Sequence, residues 1–180
     1  MSAFSAAATG GRKKRGEGHT RREEILQAAK ELFLEQGYDS TTIRKIADRV
    51  GVSAPALYLY FQDKEQMMLA LCDQTFGYLI ESIGEIEKNV SDLRERIRQF
   101  GEAYLRFGLK HPDEYRLIFL GSNVPESVRK IGHRMPTDDP TRPGVNGAIV
   151  FQRLVGVLVE AEAAGLKLNY PADTCAELCW

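Results

Sequence analysis

Residues 46–67 read "IADRVGVSAPALYLYFQDKEQM". Ala47 stands four places before Gly51, and Ser53 opens a run almost without charge. Tyr58, Tyr60 and Phe61 then gather ahead of Lys64. Gly51 can take the positive φ of a tight turn because it has no Cβ to clash. Ser53 can accept a hydrogen bond from a backbone N–H of the turn that follows, where Pro55 fits because that position needs no N–H. Two short helices joined by such a turn are the outline of a helix-turn-helix. The small Ala47 allows close approach, Leu57 reaches back to the core, and the second helix is expected over Ser53 to Tyr60.

The same reading extends in both directions. Upstream, Thr20 with Glu23 makes a capping box, and Ile25, Leu26, Ala29, Leu32 and Phe33 recur at helical spacing. A helix over about residues 21–36, stopped by Gly37, is expected. Ser40 can cap "TTIRKIADRV", in which Ile43, Ile46, Ala47 and Val50 form one apolar stripe. Downstream, Asp63 with Gln66 caps a helix running towards Lys88, and Ser91 caps the next. His111-Pro112 interrupts that helix before "DEYRLIFL" resumes the pattern. One short helix is expected near Pro125, then a mobile loop at "MPTDDPTRPG" (135–144), then a helix over about 145–164 stopped by Gly165. "PADTCAELCW" opens one more. No useful segment has strand period, so the expected fold is all-α. It divides into a basic tail (1–19), a three-helix head (20–66) and a larger helical body (67–180).

Composition narrows the function. The 180 residues are 43% hydrophobic with a net charge of −1, so any basic surface must be local. Through Gln66 there are 11 Lys/Arg against 9 Asp/Glu, and beyond it 13 against 16. Arg12, Lys13, Lys14, Arg15, Arg21 and Arg22 crowd the start, opposed only by Glu17. The odd cysteine count (Cys72, Cys175, Cys179) suits a reducing cytoplasm, and Cys175 and Cys179 read as packing thiols rather than a redox pair. No run approaches the ~18 apolar residues of a membrane span. His19, His111 and His133 lack ligand spacing, so neither metal nor cofactor is expected. The absence of a phosphate loop and of a nucleophile motif argues against a helical enzyme.

A recognition helix over Ser53–Tyr60 places its N-terminus in a major groove. Ala54, Pro55 and Ala56 would offer apolar surface to thymine methyls, and the hydroxyls of Tyr58 and Tyr60 would reach phosphates or base edges. Lys64 on one side, with Thr41, Thr42 and Arg44 on the other, would contact backbone phosphates. The run from Arg21 to Met68, with Gly-Tyr after the first helix, Thr-Ile before the alanine and Leu-Tyr-x-Tyr-Phe-x-x-Lys-Glu at its end, resembles the DNA-binding head of the tetracycline-repressor (TetR) family. The resemblance covers about 48 residues. It implies that Thr42, Tyr58 and Lys64 hold phosphates, while Ser53, Ala54, Pro55, Ala56 and Tyr60 face the bases of double-stranded operator DNA. Many members carry lysine, glycine or threonine where this chain has Ala54, Pro55 and Ala56, which implies a less hydrogen-bonded base readout.

The body resembles the family only in general helical design and in "HPDEYRLIF". The resemblance implies a homodimer formed through the last two long helices and a small-molecule effector pocket between the middle ones. Phe100, Tyr104, Phe107, Tyr115, Phe119 and Phe151 are the candidate pocket residues. A full final helix is expected after Pro171, so the chain is expected to be shortened at its C-terminus. The function implied is a ligand-responsive transcriptional regulator, most simply a repressor; the alternative is an architectural DNA-binding protein with little sequence preference. If the arm Arg12–Arg15 binds phosphates, replacing its four charges with alanine should flatten log Kd against log salt by about 0.9 per lost contact. Filter-binding isotherms at several salt concentrations measure that slope.

Overall fold

The computed structural model describes residues 17–121, 124–133 and 143–179. They form helices and turns, with no strand among the described residues. α1 (Glu17–Gln36), α2 (Ile43–Val50) and α3 (Ala54–Leu57) make the head. The body begins with α4 (Lys64–Asn89) and α5 (Leu93–Lys110). α6 (Pro112–Tyr115) then runs into a π-helical turn (Arg116–Leu120). α7 (Glu126–Arg129) leads to a 3₁₀ turn (Ile131–His133), followed by α8 (Val145–Ala163) and α9 (Ala172–Cys179). The arm Arg12–Arg15 and most of the expected loop, residues 135–142, lie outside the described residues.

The apolar stripe of α1 is buried as its spacing requires: Ile25, Leu26, Ala29, Leu32 and Phe33 pack with Ile46 and Ala47 of α2 and Leu57 of α3. α4 is the element common to both parts. Met67, Met68, Leu69, Ala70, Leu71 and Cys72 are six consecutive buried residues. A helix buried on all sides has neighbours on all sides, and α4 packs against α1, α5 and α8. Phe76, fully buried at its centre, stacks on Phe107 (centroids 5.9 Å apart) and meets Phe119 edge-on at 6.1 Å. Burying one such ring contributes about 2–3 kcal/mol.

Several helix ends differ from those read off the sequence. α1 starts at Glu17, so Thr20 lies inside the helix instead of capping it; Arg21–Glu24 and His19–Glu23 contacts run along that first part. Thr42, not Ser40, caps α2, accepting from the N–H of Lys45 at 3.2 Å, and Ser40 instead offers its carbonyl to the Lys45 ammonium. Asp92, not Ser91, caps α5, accepting from the N–H of Glu95 at 2.8 Å; a carboxylate also meets the positive end of the helix dipole, which a hydroxyl does not. The caps expected at Ser53 and Asp63 are present. Gly51 has φ 75°, and its neighbour Val52 donates to the carbonyl of Ala47 at 3.0 Å, closing the turn.

Two contacts tie the body together and to the head. Lys30 of α1 pairs with Glu114 of α6 at 2.9 Å, both half-buried. Asp73 of α4 caps α8 from outside: its carboxylate accepts from the N–H groups of Gly144 (2.6 Å) and Asn146 (2.9 Å), while the Asn146 side chain donates to the Asp73 carbonyl (2.8 Å). Gly147 lets α8 approach closely there, since a Cβ would lie 2.8 Å from Ile131 and 3.2 Å from Phe76. Asp73→Ala should therefore destabilise the protein by about 1–2 kcal/mol, the worth of a strong cap. Urea titration should show a lower midpoint with an unchanged slope.

Candidate nucleic-acid interface and ligand cavity

The Gly51 turn sets α3 beside α2 with its leading end outward. Ser53 is exposed, and its Oγ accepts from the N–H of Ala56 at 3.3 Å. The helix proper is one turn long, but its hydrogen bonds run on: Tyr58 donates to Ala54, Tyr60 to Leu57 and Phe61 to Leu57. The expected rod from Ser53 to Tyr60 is thus a helical turn followed by tighter turns. Leu57 and Phe61 anchor it in the core, at 0% and 2% exposure.

The remaining side chains sort by burial. Pro55 and Tyr58 are exposed, Ala54 and Ala56 are half-buried, and Tyr60 is half-buried against the core. Tyr58 therefore presents its hydroxyl to solvent more fully than Tyr60 does. Leu59, which sequence reasoning passed over, is 83% exposed between the two tyrosines. Its signal was the spacing from Leu57: two residues beyond an anchored position on a helical turn lies the opposite face.

On the α2 side, Thr42 and Arg44 are exposed, and Arg44 pairs with no acid among the described residues. Two other expected phosphate contacts face inward. Thr41 is 1% exposed; its hydroxyl donates to the carbonyl of Gly37 (2.8 Å) or Leu32 (3.2 Å) and accepts from the Gln36 side chain (3.3 Å). It closes the α1–α2 turn instead of facing outward, because a buried hydroxyl must find partners inside the protein. The Lys64 ammonium donates to the carbonyls of Tyr38 (2.7 Å) and Thr41 (3.2 Å) and sits 4.0 Å above the Tyr38 ring. Burial chiefly, with Glu65, Asp63 and Asp39 nearby, pushes the Tyr38 phenol up to about 12. Lys64 thus pins the loop that holds Thr42, which sequence spacing could not show.

In the body, an apolar cavity of about 220 Å³ lies among α4, α5, α8 and α9, walled by Leu79, Ile83, Phe100, Tyr104, Val150 and Leu154. Of the six aromatic residues expected there, Phe100 and Tyr104 line it. The others fill the core or border other surfaces. Tyr115 and Phe119 meet in a tilted ring contact with centroids 4.8 Å apart, Phe151 is buried, and Phe107 faces an open, polar groove of about 620 Å³ between α4 and α5. Cys175 and Cys179 complete the apolar cavity; neither was expected there. Among the described residues no cluster of three potential metal ligands occurs, and no helix is long and apolar enough to cross a membrane.

A helix-turn-helix head joined by a shared helix to an α-helical body is the architecture of a DNA-binding transcription regulator. Residues 25–71 match the model for bacterial regulatory proteins of the tetR family, and residues 97–180 match that for the tetracyclin repressor-like C-terminal domain. The chain belongs to the TetR family of transcriptional regulators. FasR, an HTH-type transcriptional activator of Mycolicibacterium smegmatis, is 36% identical over 107 residues, covering 59% of this chain and 48% of FasR. The chain thus matches about half the length of that relative.

Among solved structures, the fatty acid degradation regulator FadR of Bacillus halodurans superposes with a TM-score of 0.66 at 18% identity, covering 92% of this chain and 80% of that one. FadR of Bacillus subtilis, in complex with stearoyl-CoA, gives 0.65 at 21% identity, covering 87% and 79%. These two establish the fold.

The contrast between Tyr58 and Thr41 is testable. Tyr58→Phe should leave the thermal midpoint unchanged and weaken DNA binding by roughly 3- to 10-fold, the worth of one hydrogen bond. Thr41→Ala should lower the thermal midpoint, by an amount corresponding to about 1–3 kcal/mol for buried partners left unpaired. Calorimetry and fluorescence anisotropy with labelled duplex separate the two effects.

Proposed function

We propose that the chain is a ligand-responsive, sequence-specific DNA-binding regulator that acts in the cytoplasm as a homodimer on double-stranded operator DNA, in its simplest form a repressor released by a small apolar effector. The observation that carries this reading is the outward turn from Ser53 to Tyr60. It has a capped N-terminus, an exposed proline, Tyr58 at 54% exposure, and anchors at Leu57 and Phe61 that hold it rigid. Small apolar residues and tyrosines at a helix start suit thymine methyls and phosphate oxygens in a major groove. Thr42 and Arg44 flank that surface, and the arm Arg12–Arg15 is assigned to neighbouring phosphates.

One head covers only a short stretch of groove, whereas two heads about 34–36 Å apart add their contacts on successive turns. α8 and α9 are the elements assigned to the dimer contact; Val159 and Leu178 lie exposed on them. α4 supports a route for regulation. Lys64 at its start holds the head's loop, and Leu79 and Ile83 wall the cavity. At 1.5 Å per residue, Lys64 and Leu79 are about 22 Å apart along one rigid helix. An effector that favours a different tilt of α4 changes the spacing of the heads, and a coupling of about 1–3 kcal/mol lowers operator affinity roughly 5- to 150-fold.

Occupying an operator obstructs polymerase without any further surface, which favours repression; FasR is named an activator, and a promoter fusion reads the sign. The decisive measurement is the affinity for a duplex selected from genomic fragments against random duplex at one salt concentration. A ratio of about 10³ or more is expected of a regulator. A ratio near one would make the protein an architectural binder.

A further inference from the structure

We propose that the open groove between α4 and α5 is a binding site for a small aromatic zwitterion: a molecule that carries a flat ring, an ammonium and a carboxylate, as an aromatic amino acid does. The groove lies apart from the apolar cavity, although Leu79 borders both, and the proposal does not depend on DNA binding. At about 620 Å³ it falls within the roughly 300–1,000 Å³ of small-molecule sites. Leu79 and Phe107, both buried, form an apolar floor, and the two rims differ in hydrogen-bonding character.

The α4 rim offers acceptors. Tyr78, Glu81 and Ser82 stand three and four residues apart and so share one helix face. Glu81 is exposed and forms no ion pair among the described residues. The Ser82 hydroxyl donates to the Tyr78 carbonyl at 3.0 Å, which uses its one proton and leaves the oxygen as an acceptor. A carboxylate beside such an oxygen suits an ammonium.

The α5 rim offers donors. Arg106 and Lys110 lie about one turn apart, and both are exposed. Lys110 forms no ion pair among the described residues, and Arg106 reaches only Glu102, at 3.9 Å, a carboxylate that Arg98 already holds. Two cations so little neutralised suit a carboxylate. A ligand with both charges bridges the rims, whereas one of a single sign leaves a rim without a partner.

The ring has its own place. Tyr78 lies against His111 with centroids 4.8 Å apart and planes 8° from parallel, yet remains 56% exposed. One face is covered and the other is open, so a ligand ring extends the stack at the usual aromatic spacing.

The probe is L-tryptophan, titrated by calorimetry into the full chain without DNA. Tryptamine lacks its carboxylate, indole-3-propionate its ammonium and L-leucine its ring. Tryptophan should bind with a Kd of about 1 mM or tighter, and each of the other three roughly tenfold more weakly. Glu81→Gln should weaken tryptophan and tryptamine but not indole-3-propionate. Arg106→Gln combined with Lys110→Gln should weaken tryptophan and indole-3-propionate but not tryptamine. Tyr78→Leu should remove the preference for tryptophan over leucine. All four side chains are exposed, so the variants should keep the fold, which circular dichroism checks.

Failure of tryptophan to bind overturns the proposal and leaves a solvated cleft. Indole-3-propionate or tryptamine binding as tightly as tryptophan also overturns it, in favour of a site for one charge. Equal binding of all three indoles, with no response to the Glu81 or Arg106 and Lys110 changes, overturns it by moving the ring to the apolar cavity.

Discussion

A single helix has to satisfy two hydrophobic cores at once. The first turns of α4 close the head against α1, and its middle packs between α5 and α8. This requirement explains why Met67 to Cys72 are buried in succession. An amphipathic stripe would leave one core open. One continuous helix therefore carries both Lys64, which holds the head's loop, and Leu79 and Ile83, which wall the cavity.

Polar groups inside the head follow from the same closure. The turn between α1 and α2 brings carbonyls of residues 37, 38 and 41 to places where water is scarce, and the Thr41 hydroxyl and the Lys64 ammonium satisfy them. An unpaired buried carbonyl would cost about 1–3 kcal/mol, so the residues that spare this cost are held in place by it. The surface facing outward can then consist of small and aromatic side chains whose positions are set from beneath by Leu57 and Phe61. Rigidity of the recognition turn is supplied by its core-facing residues, and chemistry by its outward ones.

Asp73 joins the two halves of the body in a comparable way. It reaches across to the amide groups of Gly144 and Asn146, so the start of α8 is capped by a residue 71 positions earlier in the chain. Gly147 then allows α8 to settle against Phe76. The cavity is the space these packed helices leave over where α9 crosses α8. Its thiols come from α9 and its phenol from α5.

The sequence alone determined the helical class, the Gly51 turn, the caps at Ser53 and Asp63 and the core face of α1, because all depend on periodicity or on backbone chemistry within a few residues. It also placed Tyr58 on the outside of the recognition turn. Tertiary structure decided what depends on partners distant in the chain. Thr41 and Lys64 read as surface contacts until the loop carbonyls they serve were in place. Four of the six aromatic candidates fell to core packing or another groove once α4 and α5 were aligned, and Cys179 reached the cavity only through the docking of α9. Spacing reports which residues share a face of one helix; which neighbour that face meets is settled by packing the whole chain.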